Sequence, residues 1–101
     1  MKYILILTFI ISNQLFAAQS GEELVKKNGC LACHSIKVKV LGPAYLDVSK
    51  KYKEDQEVFK KLSLKIRNGG SGNWGNIPMP ANQNLNDTEI KAIISWILSL
   101  H

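Results

Sequence analysis

Cys30-Leu31-Ala32-Cys33-His34 carries more structural information than any other run in the 101-residue chain. Two thiols spaced by two residues, with an imidazole immediately after, meet the requirements of c-type haem attachment. Each sulfur can add to one vinyl group of a porphyrin, and the next side chain then falls beneath the iron as its proximal ligand. The vinyls sit a fixed distance apart on a rigid ring, so one tight turn of chain has to span them. A dithiol redox pair, half of a zinc site and a structural disulfide share part of this pattern. Structural zinc takes four protein ligands, whereas this sequence has two cysteines and two histidines, and His101 is poorly placed to complete a buried cage. A thioredoxin-like site needs strands around the motif, and the pattern of residues shows none. We read the run as covalent haem attachment at Cys30 and Cys33, with His34 on the iron.

The length is that of one domain preceded by an export signal. Lys2 forms a positive start, Ile4 to Ile11 an apolar run broken only by Thr8, and Ser12-Asn13-Gln14 a polar region. Cleavage is expected after Ala17 or Ala18, so that 1–17 is the signal and 18–101 the domain. A membrane span needs about 20 apolar residues, more than this run provides, and no cysteine follows the cleavage region to carry a lipid. A soluble periplasmic protein is the expectation, in a compartment that suits haem attachment. A domain this small has a marginal core of its own. A flat apolar cofactor would supply surface to pack against, and its binding would become part of the folding free energy.

Thirteen Lys and Arg against eight Asp and Glu give a net charge of +5, and loss of Lys2 with the signal lowers this by one. Lysines gather at 26, 27, 37 and 39 around the motif, and again at 50, 51, 53, 60 and 61. Such runs serve equally well as a solvated face or as a basic rim that steers acidic partners. Nucleic acid is not an expected partner, since the chain has no reading motif and leaves the cytoplasm.

Along the mature chain the spacing predicts about four short helices. Ser20 with Glu23 has the form of a capping box, and Asn28-Gly29 is a good stop for a first helix. After an irregular basic segment comes Gly42-Pro43-Ala44-Tyr45, where the Pro43 carbonyl is free of any helix ladder. It can hold the outer nitrogen of His34, although an ordinary turn reads the same way. Tyr45 to Tyr52 follows as a short helix. Asp55 to Asn68 is the third, with Phe59, Leu62 and Ile66 as its apolar face. From Gly69 to Asn86 there is almost no periodicity, and a loop this long in a small domain is usually functional. Within it stands Pro78-Met79-Pro80. Met79 is the only methionine of the mature chain, either a gap-filling apolar residue or, as we favour, the sixth ligand of an iron already held by His34. The last helix has Asn86 as cap, Glu89 at the box position, Leu85 and Ile90 as a staple, and Ile90, Ile93, Ile94 and Ile97 as its buried stripe. Trp96 is most simply a helix-contact aromatic. No strands or repeats are expected.

With these residues quoted, together with Trp74-Gly75-Asn76-Ile77-Pro78-Met79-Pro80, the chain resembles the small bacterial class I cytochromes c of the c-551/c-552 type. The resemblance spans the whole mature chain. It implies an all-α cytochrome c fold, about four short helices wrapped around one covalently attached haem. It further implies Cys30 and Cys33 as thioether sites, His34 and Met79 as axial ligands, and Pro43 as acceptor for the His34 ring. Trp74 would donate its indole N–H to a haem propionate, and the Asn82 amide would contact the methionine sulfur. Lys65 stands where related proteins often carry an arginine near a propionate, which keeps the charge and loses the planar fork.

A haem closed on both faces leaves no position for substrate, so the expected function is that of a monomeric periplasmic electron carrier rather than an enzyme. Its expected partners are redox proteins with acidic docking surfaces: a bc-type complex, nitrite reductase, a terminal oxidase or a peroxidase. A gas sensor and a peroxidase-like enzyme are the rivals, and both require an open iron position.

Overall fold

The computed structural model describes residues 3–8 and 19–101. Lys2, part of the apolar run and the cleavage positions Ala17 and Ala18 lie outside the described residues. No described helix is long and apolar enough to cross a membrane.

Four helices form where the periodicity places them: α1 Gly21–Lys27, α2 Tyr45–Tyr52, α3 Val58–Asn68 and α4 Asp87–Leu98. Local chemistry fixes their ends. The Ser20 hydroxyl accepts the Glu23 N–H at the start of α1. Asn86 and Glu89 form a complete capping box at α4, with bonds of 2.8 and 3.0 Å. The third helix starts three residues later than its composition suggests. The Asp55 carboxylate accepts the Glu57 N–H at 2.8 Å, and its carbonyl accepts that of Val58, so 55–57 close a turn first. Its apolar stripe is also rotated. Val58, Leu62 and Ile66 turn inward at i, i+4 spacing, while Phe59, one step around the helix, is exposed.

The segment after α3 is not all loop. Gly70–Gly72 (β1) and Gly75–Met79 (β2) pair antiparallel, Gly70 opposite Met79 and Gly72 opposite Gly75. Sequence pattern misses this hairpin because a strand shows itself by alternating buried and exposed residues. Here all but Met79 are exposed.

The core lies where α4 crosses α1 and α2. Leu24, Val25, Val48, Ile90, Ile94 and Ile97 meet there, with Tyr45 edge-on to Trp96 at 5.7 Å. Ser49 is the one buried polar side chain among the described residues, and its hydroxyl bonds the Leu98 and Leu100 carbonyls at 3.3 and 3.1 Å. That contact ties α2 to the end of α4, whose last carbonyls lack intrahelical partners. Gly21 lets α1 lie directly on α4, since a Cβ there would run into the Ala92 carbonyl oxygen and come within 2.6 Å of the Trp96 Cβ.

Gly21→Ala tests this approach. At an exposed helical site the change would stabilise by about 0.5–1 kcal/mol; here overpacking reverses the sign, with a loss of about 1–3 kcal/mol in denaturant unfolding. A second prediction concerns acid. The Lys61 ammonium and the Glu57 N–H hold the Asp55 carboxyl below the usual carboxylate range. The stability it contributes is therefore present above its unfolded-state value and lost as pH falls through the lowered folded value. Asp55→Asn should flatten the acid limb of the stability profile and also the alkaline limb. The same carboxylate holds the Lys61 ammonium above its usual range, and that contribution is lost as pH rises through the raised folded value.

Candidate functional site

The motif occupies a tight 3-10 turn, Cys30–Ala32, that begins directly after α1 and Gly29. The Cys33 and His34 N–H groups both donate to the Cys30 carbonyl, at 3.2 and 3.0 Å. This winds the chain so that both sulfurs and the imidazole line one cavity. The Cys30 and Cys33 side chains are each half-buried and are not joined to one another. Burial pushes the Cys30 thiol up, more than the nearby Tyr45 hydroxyl lowers it. A dithiol redox site works through a depressed thiol, and burial shifts Cys30 the other way. Among the described residues no three His, Cys, Asp or Glu side chains gather to hold a metal ion.

His34 is held on three sides. Its Nδ1 lies 2.8 Å from the Pro43 carbonyl oxygen, and only a protonated Nδ1 can donate there, so the lone pair of the neutral ring sits on Nε2. Tyr45 stacks against the ring, with centroids 4.8 Å apart and planes 17° from parallel. Gly42 passes beneath it, where a Cβ would come within 2.5 Å of Cε1. The loop that delivers these contacts is pinned by Gly42 N–H to the Cys33 carbonyl at 2.7 Å and Tyr45 N–H to that of Ser35 at 2.9 Å. Sequence reasoning identified Pro43 as a candidate acceptor and missed Gly42 and Tyr45, which sit on either side of it.

Met79 ends β2 on the same cavity, half-buried. Gly69 turns the chain out of α3 at φ 69°, ψ −152°, a region essentially restricted to glycine, and packs against the Met79 carbonyl oxygen. The return is anchored by the Asn82 N–H on the Ile66 carbonyl at 3.0 Å. Arg67 completes the anchor, donating to the Leu85 carbonyl at 3.2 Å and pairing with Asp87 at 2.5 Å. Nothing in the spacing singled Arg67 out, because its partners are 18 and 20 residues away. The Asn82 side-chain amide donates to the Pro80 carbonyl at 3.3 Å. Lys65 and Trp74 line the cavity mouth, and the Trp74 ring is partly exposed.

The same cavity is lined by the apolar side chains of Val48, Leu62, Ile66, Leu85, Ile93 and Ile97. Two thiols, an imidazole and a thioether lining one largely apolar cavity suit a haem. Residues 18–101 match the family Cytochrome c. The chain belongs to the cytochrome c family. It is 46% identical over 95 residues to the cytochrome c-552 of Nitrosomonas europaea, covering 92% of each chain. It is 44% identical to the cytochrome c-552 of Hydrogenobacter thermophilus, covering 98% of this chain and 97% of the relative. The crystal structure of the Nitrosomonas europaea cytochrome c552 superposes with a TM-score of 0.74, covering 79% of this chain and 99% of that one. This cytochrome c is thus a small electron-transfer protein with one covalently attached haem c, a carrier rather than an enzyme.

Gly42→Ala should push the imidazole off the position that Pro43 and Tyr45 define, at a cost of about 1–3 kcal/mol. Denaturant unfolding of the ferric holoprotein measures it.

Proposed function

We propose that this cytochrome c is a periplasmic one-electron carrier whose haem is bonded to Cys30 and Cys33 and closed by His34 and Met79. The observation that carries the reading is the His34–Pro43 bond, which commits Nδ1 and leaves the Nε2 lone pair free on a ring that lines the same cavity as Met79. When bound, the haem supplies the Fe(II)/Fe(III) couple. The protein's part is to occupy both axial positions, exclude water with an apolar wall and favour the ferrous state through a soft sulfur ligand. Trp74 and Lys65 serve in this reading as donors for propionates, and the Asn82 amide, which donates to the Pro80 carbonyl of the same loop, as donor to the methionine sulfur. Apart from His34, no His, Asp or Glu lines the cavity among the described residues, so a peroxidase-like reaction lacks its acid–base group.

Residues 1–17 act in this reading as a removed export signal, and the mature domain works as a soluble monomer. Leu31, Val38, Val40 and Leu41 are exposed beside the motif, interleaved with Lys37 and Lys39. An apolar patch within a basic rim suits brief, salt-sensitive docking on acidic redox partners. Nitrite reductase, a terminal oxidase, a peroxidase and a bc-type complex are the partner classes this surface would serve.

The ligand assignment is tested with the ferric and ferrous holoprotein. A far-red methionine-to-iron charge-transfer band is expected in the ferric state, with no rapid stoichiometric carbon monoxide binding by the ferrous protein at neutral pH. Met79→Ala should abolish the band, admit carbon monoxide and lower the potential. Unchanged behaviour in that variant would remove Met79 from the iron.

A further inference from the structure

The hairpin of β1 and β2 is the least anchored wall of the cavity. Every residue from Gly70 to Pro78 is exposed, and only Met79 at its end is half-buried. Its base is tied to α3 through Gly69 and the Asn82–Ile66 bond. Among the described residues, no backbone hydrogen bond joins 71–78 to another element. Side chains of α3 share a shallow pocket with Asn73 and Trp74 at its tip, and one side chain of α2 lies on the Trp74 ring itself. The Lys51 Nζ lies 4.7 Å from the centre of the Trp74 ring, and 5.5 Å from that of Tyr52. Both distances fall within the range where an ammonium is attracted to an aromatic face.

The two ends of this contact differ in rigidity. Lys51 rises from the last turn of a helix whose neighbouring residues Val48, Ser49 and Tyr52 are buried in the core. Trp74 sits at the turn of a two-stranded arm, a unit that is marginally stable alone, and that arm ends on Met79. We infer that Lys51 is a positioning residue: its ammonium, resting on Trp74, straps the hairpin to α2 and so keeps the Met79 sulfur turned into the cavity. The inference rests on Met79 being the sixth ligand, as proposed above.

Imidazole added to the ferric holoprotein competes with Met79, one iron–sulfur bond breaking as one iron–nitrogen bond forms with no change of oxidation state. Its affinity, followed by loss of the far-red band, reads how firmly the arm is held. In mildly alkaline buffer, where imidazole is neutral, a general change in surface charge enters weakly. Removing an exposed cation–π contact should raise the affinity roughly two- to fivefold. Lys51→Gln is expected to do this, Lys51→Arg to restore the wild-type value, and Lys50→Gln, which removes the same charge from the same helical turn, to leave it unchanged. In a Trp74→Leu background Lys51→Gln should have no further effect, since its partner is gone. Equal shifts for Lys50→Gln and Lys51→Gln, no shift for Lys51→Gln, or a shift that persists without Trp74 would each overturn the strap. Absence of the band in the wild-type protein would instead overturn the Met79 assignment itself.

Discussion

One hydrogen bond, from His34 Nδ1 to the Pro43 carbonyl, is the constraint on which the site depends. A neutral imidazole has one N–H and one lone pair, and whichever nitrogen donates leaves the other as the ligand. Proline suits the acceptor position because it has no N–H of its own to place and it precedes α2, so its carbonyl is not drawn into a helix ladder. The bond alone would still allow the ring to swing about its axis. Tyr45 on one face and the bare Gly42 backbone close by remove that freedom.

The helical scaffold reaches this site through α4. Ile93 and Ile97 belong to the core and line the cavity as well, so anything apolar seated there extends the core without a break. This is how so short a chain supports a cofactor: the surface that cannot be covered by protein is covered by the group it binds, and binding energy becomes folding energy. Leu62 and Ile66 on α3 are half-buried for the same reason, one side on the core and the other on the slot. The burial that raises the Cys30 thiol follows from the same apolar setting. It suits a sulfur destined for a thioether better than one that must ionise.

The opposite wall is organised differently. The methionine arm has almost no buried surface, so its placement falls to a few discrete contacts: the Gly69 turn, the Asn82–Ile66 bond and Arg67 bridging α3 to Leu85 and Asp87. A wall built this way is firm at its base and looser toward its tip, which is where local opening is least costly. His34 and Met79 therefore sit in unlike surroundings, one packed against a core helix and the other carried on an arm.

Local chemistry was legible from the residues alone. The attachment motif, the caps at Ser20 and Asn86, the α4 stripe and the Pro43 and Met79 candidates all depend on neighbours within a few positions, and spacing records such relations directly. The hairpin, the rotated face of α3 and the roles of Gly42, Tyr45, Arg67 and Lys51 were decided only by tertiary structure. Each depends on a partner brought near by folding or on a surface left uncovered by it. Gly42 matters because of what its missing side chain would strike, and Arg67 because the chain returns past it nearly twenty residues later. The sequence by itself determined which atoms are the candidates to bind the cofactor. Only the packed molecule decided how they are held, because holding requires contact between segments that share no local pattern.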